Sequence, residues 1–335
     1  MTERNGSLTA EKLEEMVRSW QASRIVLSAA ELKVFDHMET PASSSTVAKA
    51  IAGEPRFTDR LLNALAVLGL LKKKNGQFQN TAVSSAHLVS GKPGYWMGLA
   101  HTEHMWQSWS RLTDIVRTGK PARALPNPPK IENWLDAFIT AMQQYGSERA
   151  LRIIDMLDFS NVRSFLDVGG GSGAFSVELA KRFPGMDICI FDLPDVIPLT
   201  KRFVNKSHVS GIRYAEGNFL DFLPKEGFDM VFMSHVIHSN PPEGVKTLFR
   251  HAFQATAPGG QAVIHDFIVN DERTGPPWAV IFALNMLVNT DGGDTFSESE
   301  TRNWLEEAGF TDITHRDTGL NSSLATAKKP EAQQK

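Results

Sequence analysis

Ser164–Phe175 reads SFLDVGGGSGAF, with four glycines (Gly169, Gly170, Gly171 and Gly173) inside five residues. A short apolar run, Phe165-Leu166, leads into Asp167 and then into the glycines. A helical pattern follows, with Phe175, Leu179 and Phe183 on one face and Pro184-Gly185 as its stop. The stretch is a buried strand, a tight turn and a helix start. Glycine lets the backbone reach positive φ and lets a ligand come close. The helix start adds free N–H groups and the positive end of a dipole. Gly169-x-Gly171-x-x-Ala174 fits the dinucleotide pattern, so an NAD enzyme is one reading. A turn that merely closes a sheet corner is another. Asp167 tilts the choice: an acid just before the glycines sits badly beside a pyrophosphate and suits a ligand that brings a cation. S-adenosylmethionine (SAM) carries an ammonium and a sulfonium and no phosphate.

Positioning such a turn takes a parallel sheet covered on both faces, and from Ser164 onward strands and helices alternate accordingly. After Ser164–Val168, strands are expected at 187–192, 212–215, 228–234 and 261–266, the last entered through Pro258-Gly259-Gly260. Ser297-x-x-Glu300 reads as a capping box before a helix closed by Gly309. Residues 312–315 and 323–327 read as a final strand pair. Ligands in such sheets bind outside the carboxyl ends of strands. Asp192 ends the second strand, where a carboxylate accepts both hydroxyls of a ribose. Asn218-Phe219 follows the third: Asn bonds an adenine edge and Phe covers its face. Each residue also has a plain structural use, Asp192 as a helix cap and Asn218 in a turn.

The first hundred residues read helix, helix, helix, hairpin, the winged-helix order. A helix is expected over 11–38, with Ala22, Ile25, Ala29 and Leu32 on one face. A short one follows at 47–51, then 60–71 with Leu61, Ala64, Leu65 and Leu68 on its stripe, and a short strand at 77–81. Residues 1–9 read as a frayed end. Lys72, Lys73 and Lys74 raise the question of DNA. Residues 60–71, where a recognition helix would lie, are mostly Leu, Ala and Val, a surface made for burial. The net charge of −3 adds no argument for nucleic acid. Residues 93–116 read as an aromatic helical stretch containing His101-x-x-His104, a possible metal pair with no evident third ligand. Residues 119–130 are Pro-rich and linker-like, and 131–156 return to helix. The chain of 335 residues suits two domains, here 1–105 and 106–335. Its single cysteine, Cys189, allows no intrachain disulfide. The start is polar and no apolar run is long enough to span a bilayer, so the default expectation is a cytoplasmic protein without a membrane partner.

The chain resembles the SAM-dependent small-molecule O-methyltransferases that include caffeate, flavonoid and hydroxyindole enzymes, with bacterial polyketide and pigment relatives. The matching stretches are Leu166–Gly173, Phe191-Asp192-Leu193-Pro194, Glu216-Gly217-Asn218-Phe219, Pro258-Gly259-Gly260 and Leu284-Asn285-Met286-Leu287-Val288. The resemblance covers nearly the whole chain. It implies an α/β class I methyltransferase fold, a Rossmann-like seven-stranded sheet with one antiparallel strand, and an N-terminal helical winged-helix dimerisation domain. It also implies a homodimer, SAM as methyl donor and S-adenosylhomocysteine (SAH) as product. It carries Asp192 to the ribose, with Leu193 beside it among the cofactor-binding residues, and Asn218-Phe219 to the adenine region, where the family usually has Asp in place of Asn218. Ser234 stands where plant members have lysine.

The family's base is the His of a His-Asp-Trp triplet. Here His238 falls on that position, followed by Ser239 and Asn240. Asp266 stands where the family has a Glu that orients the base, and a second family acid is replaced by Thr295. A phenol, with a pKa of roughly 10, gains from a base at neutral pH, and neutral His contributes on the order of 10²–10⁴ in rate. His235 and His265 are rival bases. An acceptor site between the lobes is expected from Trp106, Phe138, Met142, Trp278, Phe282, Asn285 and Met286, whose aromatic and Met side chains favour a flat, apolar molecule. The altered triplet keeps C- or N-methylation, or a reaction without methyl transfer, as the alternative on the same SAM site. A non-catalytic ligand-sensing winged-helix protein is the further alternative.

Overall fold

The computed structural model describes residues 8–332, and the chain divides between Glu103 and His104 into two compact units. Of the expected frayed end, residues 1–7 lie outside the described residues; Thr9 caps the first helix through its side chain.

In the first unit, α1 (Ala10–Arg18) and α2 (Trp20–Glu31) replace the single expected helix over 11–38, and a 3₁₀ turn covers Val34–His37. The chain continues through β1 (Ala42–Ser43), α3 (Ser44–Ala50), α4 (Pro55–Val67), β2 (Leu71–Lys74), β3 (Gln77–Asn80) and α5 (Ala82–His87). The three strands order as β1-β3-β2, all antiparallel, which makes the wing. The α4 helix starts earlier than the sequence indicates because Pro55 occupies its first turn and Glu54 caps it by accepting from the Phe57 amide. Its buried residues are Thr58, Leu62 and Leu65, and Leu68 is exposed. On α2 the buried residues are Leu27 and Ala29 rather than Ala22 and Leu32. The lysine cluster lies on β2. Lys73 donates to Asn63 Oδ1 at 2.6 Å and covers the Phe78 ring, so this cation is already engaged.

The second unit is an α/β sandwich. The unit boundary falls within α6 (Leu99–Trp109), and α7 (Leu112–Thr118) and α8 (Trp134–Ile154) follow. A 3₁₀ turn at Ala122–Ala124 interrupts the Pro-rich stretch. Then come β4 (Ser164–Val168), α9 (Ala174–Arg182), β5 (Asp187–Asp192), α10 (Ile197–Lys206), β6 (Ile212–Glu216) and β7 (Phe228–Ser234). The remainder is α11 (Pro242–Ala255), β8 (Thr256–Asp266), α12 (Pro277–Asn289), α13 (Glu298–Glu307), β9 (Thr311–Asp317) and β10 (Ser323–Lys328). Thr81–Ser84 and Ser297–Glu300 form capping boxes.

The seven strands order as β6-β5-β4-β7-β8-β10-β9. Pairing is parallel from β6 through β8, and β10 runs antiparallel to both β8 and β9. Both faces are covered. Leu166, Val168, Phe191, Val231, Met233 and Ile264 belong to one core, and Phe165, Ile188, Phe232, Val263 and Leu324 to the other. Burial on both sides is why these strands read as apolar runs without alternation. The chain leaves β4 toward β5 and β6, then returns to β4's other side as β7. The topological switch therefore lies between the carboxyl ends of β4 and β7, where such folds bind ligands. Among the described residues no helix is long and apolar enough to cross a membrane.

Candidate active site

The glycine turn is fastened to its neighbours by its own backbone. Gly169 N–H donates to the Phe191 carbonyl at 2.8 Å, Gly173 N–H to the Gly170 carbonyl at 2.8 Å, and the Gly171 carbonyl accepts from Thr200 Oγ1 at 2.5 Å. Gly169 (φ +65°) and Gly173 (φ +78°) are left-handed, and a Cβ would lie 2.8 Å from Val236 at the first and 2.9 Å from Val204 at the second. Nothing larger than hydrogen fits these positions without displacement.

Asp192 ends β5 beside this turn. Its Oδ2 accepts from Gly171 N–H at 2.8 Å and its Oδ1 from Leu193 N–H at 2.7 Å. Each oxygen keeps a lone pair for a further donor, as a ribose diol requires. Burial raises its carboxyl above the usual range, against those two amides. Asn218 makes an Asx turn: its Oδ1 accepts from Leu220 N–H at 2.9 Å. Phe219 is partly buried against the core, and its carbonyl accepts from His251 Nδ1 at 2.8 Å. The paired ends of β5 and β6 thus bring Asp192, Asn218 and Phe219 to one edge.

Asp167 differs from its expected position. It is 2% exposed, and its Oδ2 accepts from Ser176 Oγ at 2.6 Å. A Cβ on Gly170 would sit 3.1 Å from this carboxylate. The acid therefore lies beneath the turn rather than on its open face, and a cation above the turn feels it through the loop. Burial pushes its carboxyl up to about 7, against the Ser176 bond and with Asp192 adding repulsion. Sequence gave no warning of Ser176 or Thr200, which hold the turn from below.

At the other side of the switch, β7 ends in Ser234 and the chain turns through His235, a non-glycine residue at φ +57°. Such a conformation is uncommon and costs about 1–3 kcal/mol where the surroundings impose it. His235 N–H donates to the His265 carbonyl at 2.8 Å, which extends the β7–β8 pairing and holds the turn. A 3₁₀ turn, Ile237–Ser239, then presents His238. His238 Nδ1 lies 2.6 Å from Asp266 Oδ1. Asp266, the last residue of β8, is fully buried and also accepts from Ile237 N–H at 3.1 Å and Phe267 N–H at 2.8 Å. Burial alone would raise its carboxyl, but His238 and His235 beside it hold it well below the usual carboxylate range. An ionised Asp266 makes Nδ1 of His238 the donor. In neutral His238 the lone pair is then on Nε2.

His238 is 9% exposed and its ring meets Phe282 edge-on at 5.0 Å. The replaced triplet partners keep local work: Ser239 Oγ and Asn240 Nδ2 both donate to the Val236 carbonyl, at 2.8 and 3.0 Å, and close the turn that carries the base. Thr295 is buried and brings no acid; its neighbour Asp294 donates its N–H to the His238 carbonyl at 2.9 Å. The rival bases are placed differently. His265 is fully buried, with Ser234 Oγ 2.9 Å from Nδ1 and Ser322 Oγ 2.9 Å from Nε2, so neither nitrogen is open. His235 Nδ1 is 3.7 Å from Asp266, beyond hydrogen-bond reach, and burial lowers its pKa.

Of the expected acceptor residues, Phe282 packs on Phe267 at 4.3 Å and Trp278 stands 6.4 Å from Phe282, half exposed. Asn285 Oδ1 accepts from Trp109 Nε1 and Asn289 Nδ2, both at 3.0 Å, which turns its own amide NH₂ away from them. Met286 is buried at 6% exposure, alongside Ala279 and Val288 on α12, rather than on an open face. Phe138 stacks on Trp134 at 5.4 Å, and Trp106 and Met142 are partly buried. Among the described residues the one trio with metal-ligand atoms close together is His235, His238 and Asp266, within 4.8 Å; His101 and His104 are not part of it. A separate cleft of about 630 Å³, lined by Phe183, Met186 and His208 among others, lies at the amino ends of β5 and β6, away from these groups.

A doubly wound sheet in this strand order, with a glycine turn after its first strand and a carboxylate at the end of the next, is the class I methyltransferase fold. Family comparison agrees: an "O-methyltransferase domain" profile matches residues 109–311 and an "O-methyltransferase dimerisation domain" profile matches 15–90. The chain belongs to the SAM-dependent O-methyltransferase family. It is 28% identical to 3-hydroxy-5-methyl-1-naphthoate 3-O-methyltransferase of Streptomyces sahachiroi, over 90% of this chain and 89% of that one. It is also 28% identical to the tetracenomycin polyketide synthesis 8-O-methyl transferase TcmO of Streptomyces glaucescens, over 94% and 96%. Among solved structures, human N-acetylserotonin methyltransferase in complex with SAM superposes with a TM-score of 0.83 at 25% identity, over 98% and 99% of the two chains. PigF with SAH shares the fold, with a TM-score of 0.88 at 24% identity over 96% and 100%.

Proposed function

We propose that the enzyme methylates a hydroxyl of a flat aromatic or polyketide-like acceptor, with His238 as general base. The observation that carries this is the 2.6 Å contact between His238 Nδ1 and a buried, ionised Asp266. That contact fixes which nitrogen is basic and holds the ring. His238 Nε2 takes the proton as the acceptor oxygen becomes nucleophilic, and Asp266 stabilises the imidazolium that forms. Bound at the glycine turn, SAM supplies an electrophilic methyl group. Asp192 and Leu193 receive the ribose, and Asn218-Phe219 receive the adenine. Ser234 and the Gly169–Gly173 turn, with Asp167 beneath it, meet the amino-acid tail.

Phe282 and Trp278 offer apolar surface next to the base, and the Asn285 amide, with its oxygen already occupied, is set as a donor to an acceptor oxygen. Met142, Phe138, Trp106 and Met286 complete the acceptor residues we assign. A flat apolar acceptor is in keeping with the naphthoate and tetracenomycin named for the relatives. Homodimerisation through the first unit fits its profile match and its exposed apolar side chains: Met16, Val17, Phe57 and Val67 are each more than half exposed.

His238→Ala tests the base. SAM affinity by calorimetry is expected to hold while turnover of a phenol or naphthol acceptor, read as SAH release, falls by on the order of 10²–10⁴. Unchanged turnover would remove His238 from the mechanism.

A further inference from the structure

Four buried or half-buried groups form a hydrogen-bond chain leading away from the switch point: Ser234, His265, Ser322 and Thr318. It begins beside the glycine turn, since Val168 pairs with Met233 and the next residues on the two strands are Gly169 and Ser234. It ends in the turn between β9 and β10, where Ser322 and Thr318 are 4% and 7% exposed. The proton positions along it follow from chemistry. Thr318 Oγ1 is 2.7 Å from the Ser322 carbonyl, and a carbonyl only accepts, so the Thr318 hydroxyl hydrogen goes there. Thr318 Oγ1 also lies 2.8 Å from Ser322 Oγ, and with its hydrogen spent it accepts from the Ser322 hydroxyl. Leu320 N–H supplies its other bond at 3.1 Å. Ser322 Oγ, 2.9 Å from His265 Nε2, has then no hydrogen left to give and accepts from Nε2–H.

His265 is neutral. Burial holds it well below the ordinary histidine range; His235 and Arg149 add to the effect, and Asp266 opposes it. With its one hydrogen on Nε2, its Nδ1 is an acceptor, and the Ser234 hydroxyl at 2.9 Å donates to it. Ser234 Oγ is left with lone pairs only.

We propose that this relay, anchored at Thr318, fixes Ser234 as a pure hydrogen-bond acceptor at the β4–β7 edge, and that Ser234 thereby selects the ammonium of the cofactor's amino-acid tail rather than its carboxylate. The ligand half of this rests on the cofactor reading above; the proton order stands without it. Thr318, Ser322 and His265 are positioning residues that act through Ser234. A lysine at position 234 would present the opposite polarity, a donor suited to a carboxylate.

Nitrogen-15 NMR of the histidine-labelled full chain without ligand reads the tautomer directly, with the His265 signal assigned by its loss in His265→Gln. The wild type is expected to show Nε2–H. In Thr318→Val the Ser322 hydroxyl loses its acceptor, turns to His265 Nε2, and the tautomer reverses to Nδ1–H. Ser234 then faces the cofactor as a donor. Calorimetry with SAH should show about tenfold weaker binding to Thr318→Val, the scale of one hydrogen bond to a charged group. The SAH analogue whose amino group is replaced by hydrogen should bind both proteins equally. Ser234→Ala should weaken SAH and spare the same analogue. An Nδ1–H tautomer in the wild type overturns the relay, and equal losses for both ligands overturn the ammonium preference. SAH binding to Ser234→Ala at full strength removes Ser234 from the cofactor while leaving the tautomer result intact. Absence of SAH binding to the wild type would overturn the cofactor reading itself. Should Thr318→Val not fold, the wild-type tautomer and Ser234→Ala decide.

Discussion

Asp167 and Asp192, at the ends of β4 and β5, are held by one hydroxyl and two backbone amides, and among the described residues neither is paired with a cation. Asp266, at the end of β8, has two imidazoles beside it, one at 2.6 Å and one at 3.7 Å. All three carboxylates are largely or wholly buried, yet burial prevails at the first two and raises them, whereas at the third the imidazoles prevail and lower it. The difference lies in where the positive charge comes from. At the proposed catalytic end the protein supplies it, in the His238–Asp266 pair. At the proposed cofactor end no such pair is built, and in the proposed function the charge is brought by the sulfonium amino acid.

The contrast breaks most sharply at Asp266. Asp266→Asn keeps the shape but offers His238 an amide in place of an ionised carboxylate, so the ring loses both its fixed tautomer and its stabilising charge. Turnover is expected to fall by roughly 10²–10⁴ in single-turnover assays with SAM affinity preserved. The substitution also removes an acid whose folded pKa lies below its unfolded one. Its contribution to stability is complete above about pH 4 and is lost as pH falls further. Acid unfolding of the wild type should therefore be steeper than that of the Asn variant.

A smaller effect is expected at the opposite end. Asp192→Ala removes an acceptor of Gly171 N–H together with the proposed ribose contact. SAM binding should weaken by about ten- to a hundred-fold, the scale of one or two charge-assisted bonds. The turnover rate at saturating SAM should change little. A large fall in that rate with unchanged SAM binding would exchange the roles of the two ends.

Much of the cofactor end was legible in the sequence because its signal is local. Four glycines inside five residues demand positive φ and close approach wherever they fall, and Asp192 declares itself as an acid at the end of an apolar strand. The depth of Asp167 was not legible: its burial depends on Ser176, one helix turn into α9, and on how closely Gly170 passes over it. The catalytic end was legible only by position within a known motif, since His238 and Asp266 lie 28 residues apart. Local geometry then explained what resemblance left open, because Ser239 and Asn240 close the turn through the Val236 carbonyl. The Ser234–His265–Ser322 chain spans 31 and 57 residues between successive partners, and no local pattern marks it. In the first unit, the start of α4 was misread because Pro55 and Glu54 begin that helix ahead of Thr58-Asp59.

The missing-cation account is tested most directly by titrating the wild-type chain with SAM in buffers of differing ionisation enthalpy. Burial pushes the Asp167 carboxyl up to about 7 in the unliganded protein, and a cation arriving above the turn favours its ionised form. The predicted result is binding accompanied by net proton release near neutral pH, fading as pH rises well above 7 and abolished in Asp167→Asn. No heat of binding, or a heat independent of the buffer at pH 7, would contradict it.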